Sequence, residues 1–447
     1  MNQFYIFGIL ICLLAYYNWV GAKAVPDYEL MTTSRNQFDW LRISLSISSA
    51  FLIIPAFLQA GGFGYKFGIW SMLVFVSAYC LSFLIYSQLV QRFKEKYTQS
   101  VTLIDIAESS IGTAAGNIYK IQSFLAPIYH IFVNLLGIKY VLKSWDFSPE
   151  ASAVFTGIMC IGVIMYIWRG GLFTSIKTDG YQLILMATTL IVFGIYAFSH
   201  YNIENFITNV NKPADSSLLL FPGLLFMFIL TSGVSANQEI LSRSLACKDI
   251  QSVKKTFWSA SIITPCALLI VGLVGMFAAP GLDNRDLAVS SLVSNSDIWI
   301  QLLFALFAIS IATSNMDSAA VASALIISRN ILKRDNIKTF QWALFLPITI
   351  AYLLSLFEID LLLPLMVFSV YRTASMTLTA CMAFGIYVKD RYYLLAFLLS
   401  LAIGGAFNYY SQVNKLGPVW AVYGYLIIIG VSAIPVLASQ FIRGRIK

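Results

Sequence analysis

The run Ser310-Ile-Ala-Thr-Ser314-Asn315-Met-Asp317-Ser318 puts hydroxyls, a carboxamide and a carboxylate in the middle of an otherwise apolar stretch. Oxygen donors of this kind suit a dehydrated Na+, a hard cation that needs several of them. On a helix, Ser314, Asp317 and Ser318 share a face, because residues three and four apart stack. An ionisable group inside a membrane helix is costly, so Asp317 is a functional candidate by default. A hydrogen-bonded Asp near the inner interface is the plainer alternative. His130 and Asn134, four apart on a second apolar stretch, also share a face. Arg372 lies deep in a third, too far from either end for its side chain to snorkel out. A buried guanidinium must meet a substrate carboxylate, a neighbour such as Glu358 or Asp360, or helix-end carbonyls. If His130 and Arg372 face one cavity, they would hold a carboxylate by charge-assisted hydrogen bonds.

The elements that must position these residues are membrane helices. Of 447 residues, 59% are hydrophobic and 11% charged, against about 25% charged in a soluble domain. That leaves too little charge to solvate a globular surface, which excludes a soluble enzyme or a nucleic-acid binder. Apolar segments fall at 4–20, 43–62, 67–91, 119–143, 151–168, 180–199, 217–242, 254–279, 298–328, 339–357, 361–387, 392–409 and 417–440. The expected fold is therefore an all-α polytopic membrane protein of thirteen transmembrane helices in a single domain, 1–447. The first segment reads as a retained helix, because Met-Asn-Gln-Phe-Tyr lacks the positive charge of a signal peptide.

With the N-terminus outside, 22 of the 29 Lys and Arg fall in inside loops and only six outside. This asymmetry supports the segment count, an outside N-terminus and an inside C-terminus, in the cell's inner (plasma) membrane. The net charge of +8 reports orientation rather than an anionic partner. Six cysteines without a CxxC pair read as buried small hydrophobes. The amphipathic stretch Leu103–Ile111 reads as a short interfacial helix, and loop 280–297 as the place for another.

Two segments look broken. Segment 43–62 combines a Ser cluster with Pro55, which removes one backbone hydrogen bond and frees carbonyls, and carries Gln59 beyond it. Segment 217–242 contains Thr231-Ser-Gly233-Val-Ser235-Ala-Asn237-Gln238. Transporters build midplane sites from two discontinuous helices, one opening each of two inverted repeats. The two segments are five apart, as two five-helix repeats at 43–199 and 217–387 require. Residues 1–42 then form an extra helix and inside loop, and 392–440 two C-terminal helices. Packing alone is the other explanation for Ser, Gly and Pro in membrane helices. On the transporter reading, Gln59, His130, Asn134, Ser235 and Arg372 are the candidate solute contacts.

Several runs resemble the sodium/solute symporter family, which includes bacterial proline, sialic-acid and galactose symporters. Ser314-Asn315-Met316-Asp317-Ser318, with Arg329-Asn330 eleven residues further on, is similar to that family's Ser-Thr-x-Asp-Ser run and its Arg-Asp pair. Arg169-Gly-Gly-Leu with Thr178-Asp179-Gly-Tyr-Gln182, and Asn237-Gln238 with Ser242-Arg243-Ser-Leu-Ala246-Cys-Lys248, match two more family stretches. Tyr65-Lys-Phe-Gly68 and Asp27-Tyr28 with Arg35 match less closely. The motifs occur in family order from about residue 27 to 390.

The resemblance implies a leucine-transporter-like 5+5 inverted-repeat core preceded by one extra helix, and Na+-coupled uptake by alternating access. It also implies a sodium site formed by the carbonyls of Ser49, Leu52 and Ile311 and the side-chain oxygens of Ser314 and Asn315. The family has Ser or Thr where Asn315 stands. Asp317, Ser318 and Asp179 match positions tied to a second ion or an inner gate. Ala56, Phe75, Ala78 and Leu230 replace polar residues of sugar-transporting relatives, which argues against a sugar.

The expected function is Na+-coupled symport of a small anionic or zwitterionic solute, such as an amino acid or carboxylate. A proton-coupled relative, with His130 or Asp317 titrating, and a transport-derived membrane sensor are the alternatives. The expected partners are the solute and the lipid bilayer, with no nucleic acid, and a monomer is compatible with them. With only His130 and His200, no HxxxH and no Gly-x-Ser-x-Gly, an enzyme is not expected.

Overall fold

The computed structural model describes residues 3–21, 25, 27–212, 237–282, 288–357, 379, 381–384, 386, 390–414 and parts of 427–437. Helix α1 is Gln3–Val20, α2 is Tyr28–Thr32 and α3 is Trp40–Phe51. The Asp39 side chain caps α3 by accepting from the Arg42 amide at 2.9 Å. The helix stops where the sequence places the first break. Leu52 (ψ 83°) and Ile53 (ψ 147°) are extended, and α4, Ile54–Lys96, restarts with Pro55 in its first turn. Proline costs nothing there, since that position has no intrahelical partner for an N–H.

α4 comprises two limbs, 54–67 and 69–96, divided at Gly68, whose φ of 76° and ψ of −170° suit only glycine. Phe63 and Phe75 would lie about 18 Å apart along a straight helix. Their rings stack at 5.4 Å, so the second limb folds back on the first. The expected segments 43–62 and 67–91 are thus α3 with the first limb, and the second limb.

The chain continues through α5 (Leu103–Ser110), α6 (Thr113–Lys143), α7 (Pro149–Ile167), α8 (Gly171–His200) and α9 (Ile203–Val210). Then follow α10 (Gln238–Ala246), α11 (Ile250–Gly275), α12 (Ala288–Ser294) and α13 (Ile298–Leu325), which runs on as a wider π turn, Ile326–Ile331. The last described helices are α14 (Ile337–Ala343), α15 (Phe345–Ser355), α16 (Asp390–Leu399) and α17 (Gly405–Val413). Among the described residues, seven helical spans are long and apolar enough to cross a bilayer. The segments expected at 217–242, 361–387 and 417–440 lie mostly outside the described residues.

Two boundaries differ from expectation for one reason. α8 begins at Gly171 rather than 180, and α6 at Thr113 rather than 119. Thr174, Ser175, Thr178 and Asp179 read as loop by hydropathy, yet all four are buried and face other polar side chains. The stretch expected to lie in the membrane interface forms α5, with Leu103, Ile104, Ile106 and Ala107 buried and the helix packed on α6. A capping box between Thr102 and Asp105 starts it.

Two layers emerge. In the first, α11 packs along α3 and α4. The crossing brings backbones into contact: a Cβ on Gly64 would sit 2.0 Å from the Gly272 carbonyl oxygen, and one on Gly275 2.2 Å from that of Gly61. Small residues that let helices approach this closely are the usual device for association in lipid. The second layer holds α6, α7, α13 and α15. α8 lies at the junction, touching α3 and α11 on one side and α13 on the other.

Candidate functional site

The helix break is held from the second layer. The Ile54 amide, first of α4, donates to Asn134 Oδ1 at 3.1 Å, and Asn134 Nδ2 donates to the His130 carbonyl at 2.8 Å. Asn134 therefore spends both ends of its carboxamide on backbone. His130 faces a carboxylate: its Nδ1 lies 2.7 Å from Glu239 Oε1, with both side chains buried. Glu239 opens α10, where its amide donates to the Asn237 cap at 2.8 Å. Gln59 is half-buried on the first limb of α4. Ser235 and Arg372 lie outside the described residues.

A second constellation sits where α3, α7, α8, α10 and α13 meet. Asp179, Arg243 and Asp317 are each 0% exposed. Arg243 Nη2 lies 3.0 Å from Asp179 Oδ2 and also donates to Ser318 Oγ, while its Nε donates to Ser46 Oγ at 2.7 Å. Asp179 accepts from Ser46 and Ser314, each at 2.5 Å. Asp317 accepts from Tyr166 at 2.7 Å, Ser175 at 2.8 Å and Ser318 at 2.9 Å. Asp179, Ser314, Asp317 and Ser318, named apart in the sequence, are brought into one network. Among the described residues, it sets two carboxylates against one guanidinium.

The donors named for a first sodium site meet a different arrangement. Asn315 Nδ2 donates to both the Leu52 and the Ile311 carbonyls, each at 3.0 Å. Ser314 has one proton and gives it to Asp179, so Ser49 is the donor in the 2.6 Å contact between the Ser49 and Ser314 hydroxyls. The Ser49 carbonyl accepts the Leu52 amide at 3.3 Å. With an N–H group pointing at two of the carbonyls, this set does not fit a sodium ion. The carboxylate cluster is richer in hard oxygens, and most of the donors that face it are hydroxyls, which can turn their oxygens inward, with Arg243 as the fixed cation.

Other motif residues act as ties. Tyr65 Oη accepts the Gly281 and Leu282 amides, each at 3.1 Å. Gln238 Oε1 accepts the Leu103 amide at 2.9 Å, and Arg329 pairs with Asp335 at 3.0 Å and Asp105 at 3.4 Å. The sequence reading missed Glu239, Ser46, Ser175 and Tyr166 as site residues and set Arg243 among inside-loop charges. The spacings Ser175–Asp179 and Glu239–Arg243, each four apart, were the available signal.

No family model matches the sequence. A stretch of 135 residues, 30% of this chain, is 21% identical to 20% of the "probable urea active transporter 1" of Schizosaccharomyces pombe. At the level of structure, 97% of the chain superposes on 98% of a Na+-coupled sialic acid symporter, solved substrate-bound and outward-open and described as revealing a novel Na+ site, with a TM-score of 0.77 at 13% identity. The chain has that symporter's fold. It also superposes over 92% of its length on 94% of Mhp1, a nucleobase-cation-symport-1 transporter in a closed conformation with bromovinylhydantoin bound, with a TM-score of 0.58 at 15% identity. All three are transporters. The leucine-transporter-like architecture and the likeness to sodium/solute symporters expected from the motifs are met by the fold.

Proposed function

We propose that the chain is a secondary transporter that moves a small polar solute across the plasma membrane by alternating access, coupled to one Na+ at the Asp179–Asp317–Arg243 cluster. The supporting observation is a fully buried network in which, among the described residues, two carboxylates face one guanidinium. An ion removed from water without compensation costs several kcal/mol even after relaxation. A monovalent cation beside Asp317 and Asp179 makes the network neutral. Its binding draws α3, which ends at the break at Leu52 and Ile53, and α10 against α8 and α13. That is a differential contact between conformations, which coupling requires.

For the solute, the reading rests on Glu239 beside His130. A zwitterion sets a cationic group against Glu239 and its carboxylate elsewhere, whereas a purely anionic solute would bring a second negative charge to the Glu239–His130 pair. An amino-acid-like solute is therefore preferred to a simple carboxylate. The orientation proposed is N-terminus outside and C-terminus in the cytoplasm.

The test is thermal unfolding of the detergent-purified chain in NaCl against choline chloride. Sodium at ten times its dissociation constant should stabilise the fold by about 1.4 kcal/mol, and Asp317→Asn should lose the effect. A stabilisation that follows pH instead of sodium would assign the coupling ion as H+.

A further inference from the structure

Asn315 is 1% exposed, and its side-chain nitrogen gives both protons to carbonyls. One belongs to Leu52, inside the break between α3 and α4, and the other to Ile311, one turn back on α13. Remove the side-chain N–H groups and the Ile311 carbonyl keeps the backbone amide of Asn315 within α13, whereas the Leu52 carbonyl, inside the break, loses this donor. The Leu52 carbonyl then calls for another donor or a cation, because a buried acceptor that loses its partner carries a desolvation penalty. Turning the carboxamide over sets Oδ1 against the same two carbonyls, which makes three converging oxygens that only a cation could hold together. The orientation of this one amide and the presence of an ion at this point exclude each other.

We infer that Asn315 is a built-in substitute for a cation: it ties the broken helix to α13 by hydrogen bonds where a serine or threonine would leave room and need for Na+. The inference rests on the transporter reading above and deepens it, since it assigns the chain one coupling ion fewer than a chain with a hydroxyl at this position. It also changes what the break does. Contact between the break and α13 at Asn315 is made by the chain's own hydrogen bonds and needs no ion at this point. The neighbouring Ser49–Ser314 hydrogen bond, at 2.6 Å, continues the same tie into the carboxylate cluster. Ion binding at the cluster is thereby transmitted to the break through one hydroxyl pair.

The experiment is a sodium titration of thermal unfolding on the purified full chain, NaCl replacing choline chloride at constant ionic strength. The dependence of unfolding free energy on the logarithm of sodium concentration counts the ions bound. Asn315→Ser should bind one more Na+ than the wild type. Asn315→Asp, which sets a carboxylate at the same two carbonyls, should do so as well and covers a serine variant that folds poorly. A variant that unfolds in choline and is recovered in sodium shows the same gain. The inference is overturned if neither variant gains an ion, and also if Asn315→Ser loses one, since the amide oxygen would then be a ligand in the wild type. The cluster reading is judged separately, by loss of the wild-type ion in Asp317→Asn. The gain at position 315 is a difference from wild type and stands whether the wild type binds one ion or none.

Discussion

Arg243 neutralises only one of the two carboxylates it lies among, and this imbalance governs the chemistry of the buried network. Removing one partner of a buried ion pair costs about 3–5 kcal/mol, because the charge left behind is unpaired. Arg243→Ala should therefore lower stability by that order in thermal unfolding, and adding Asp179→Asn should restore part of the loss. A single variant that stays within about 1 kcal/mol of wild type would show that the pair is already solvated. At this scale the sequence was half legible. Asp317, Ser314 and Ser318 stand out because a carboxylate in an apolar run has few bland explanations. Arg243 did not, since a charge next to a loop reads as solvated, while Ser46 reads as a packing residue and Ser175 as loop. What brings them together is long-range: Ser46 and Arg243 are 197 residues apart.

Among elements, the helix break was legible and the helix starts were not. Pro55 and the serine run mark the interruption that the structure places at Leu52 and Ile53. The early start of α8 escaped because its first polar turn looks like loop until its burial against Arg243 and Asp317 is known. The crossing of α4 with α11 makes a sharper prediction. Gly64→Ala would push a methyl into the Gly272 carbonyl, whereas a Cβ on Gly194 meets only an Ile270 methyl at 3.7 Å. Overpacking of this kind costs about 1–3 kcal/mol. Thermal unfolding should show Gly64→Ala destabilised and Gly194→Ala near wild type. Equal behaviour of the two would mean that α4 and α11 do not cross backbone to backbone.

For the whole molecule, positive charge in alternate loops predicts a direction that the fold alone leaves open. In a background without native cysteines, Asn295→Cys in the 280–297 loop should react with a membrane-impermeant maleimide on intact cells. Asn336→Cys, beside the start of α14, should react only after the membrane is opened; both positions are exposed. The reverse pattern would invert the topology. In the proposed orientation, the network of Asp179, Arg243 and Asp317 would lie toward the cytoplasmic half, where α10 leads into the loop before α11. On the proposed transport reading, a cation held there would join the two layers that rock against each other and couple ion to conformation at the cluster.

Equilibrium binding of radiolabelled sodium to the purified chain tests this coupling most directly. One ion per chain is expected, displaced by NaCl and not by choline chloride, and absent from Asp317→Asn. Undiminished binding in Asp317→Asn, or no saturable binding to the wild type, would contradict a sodium ion at the carboxylate cluster.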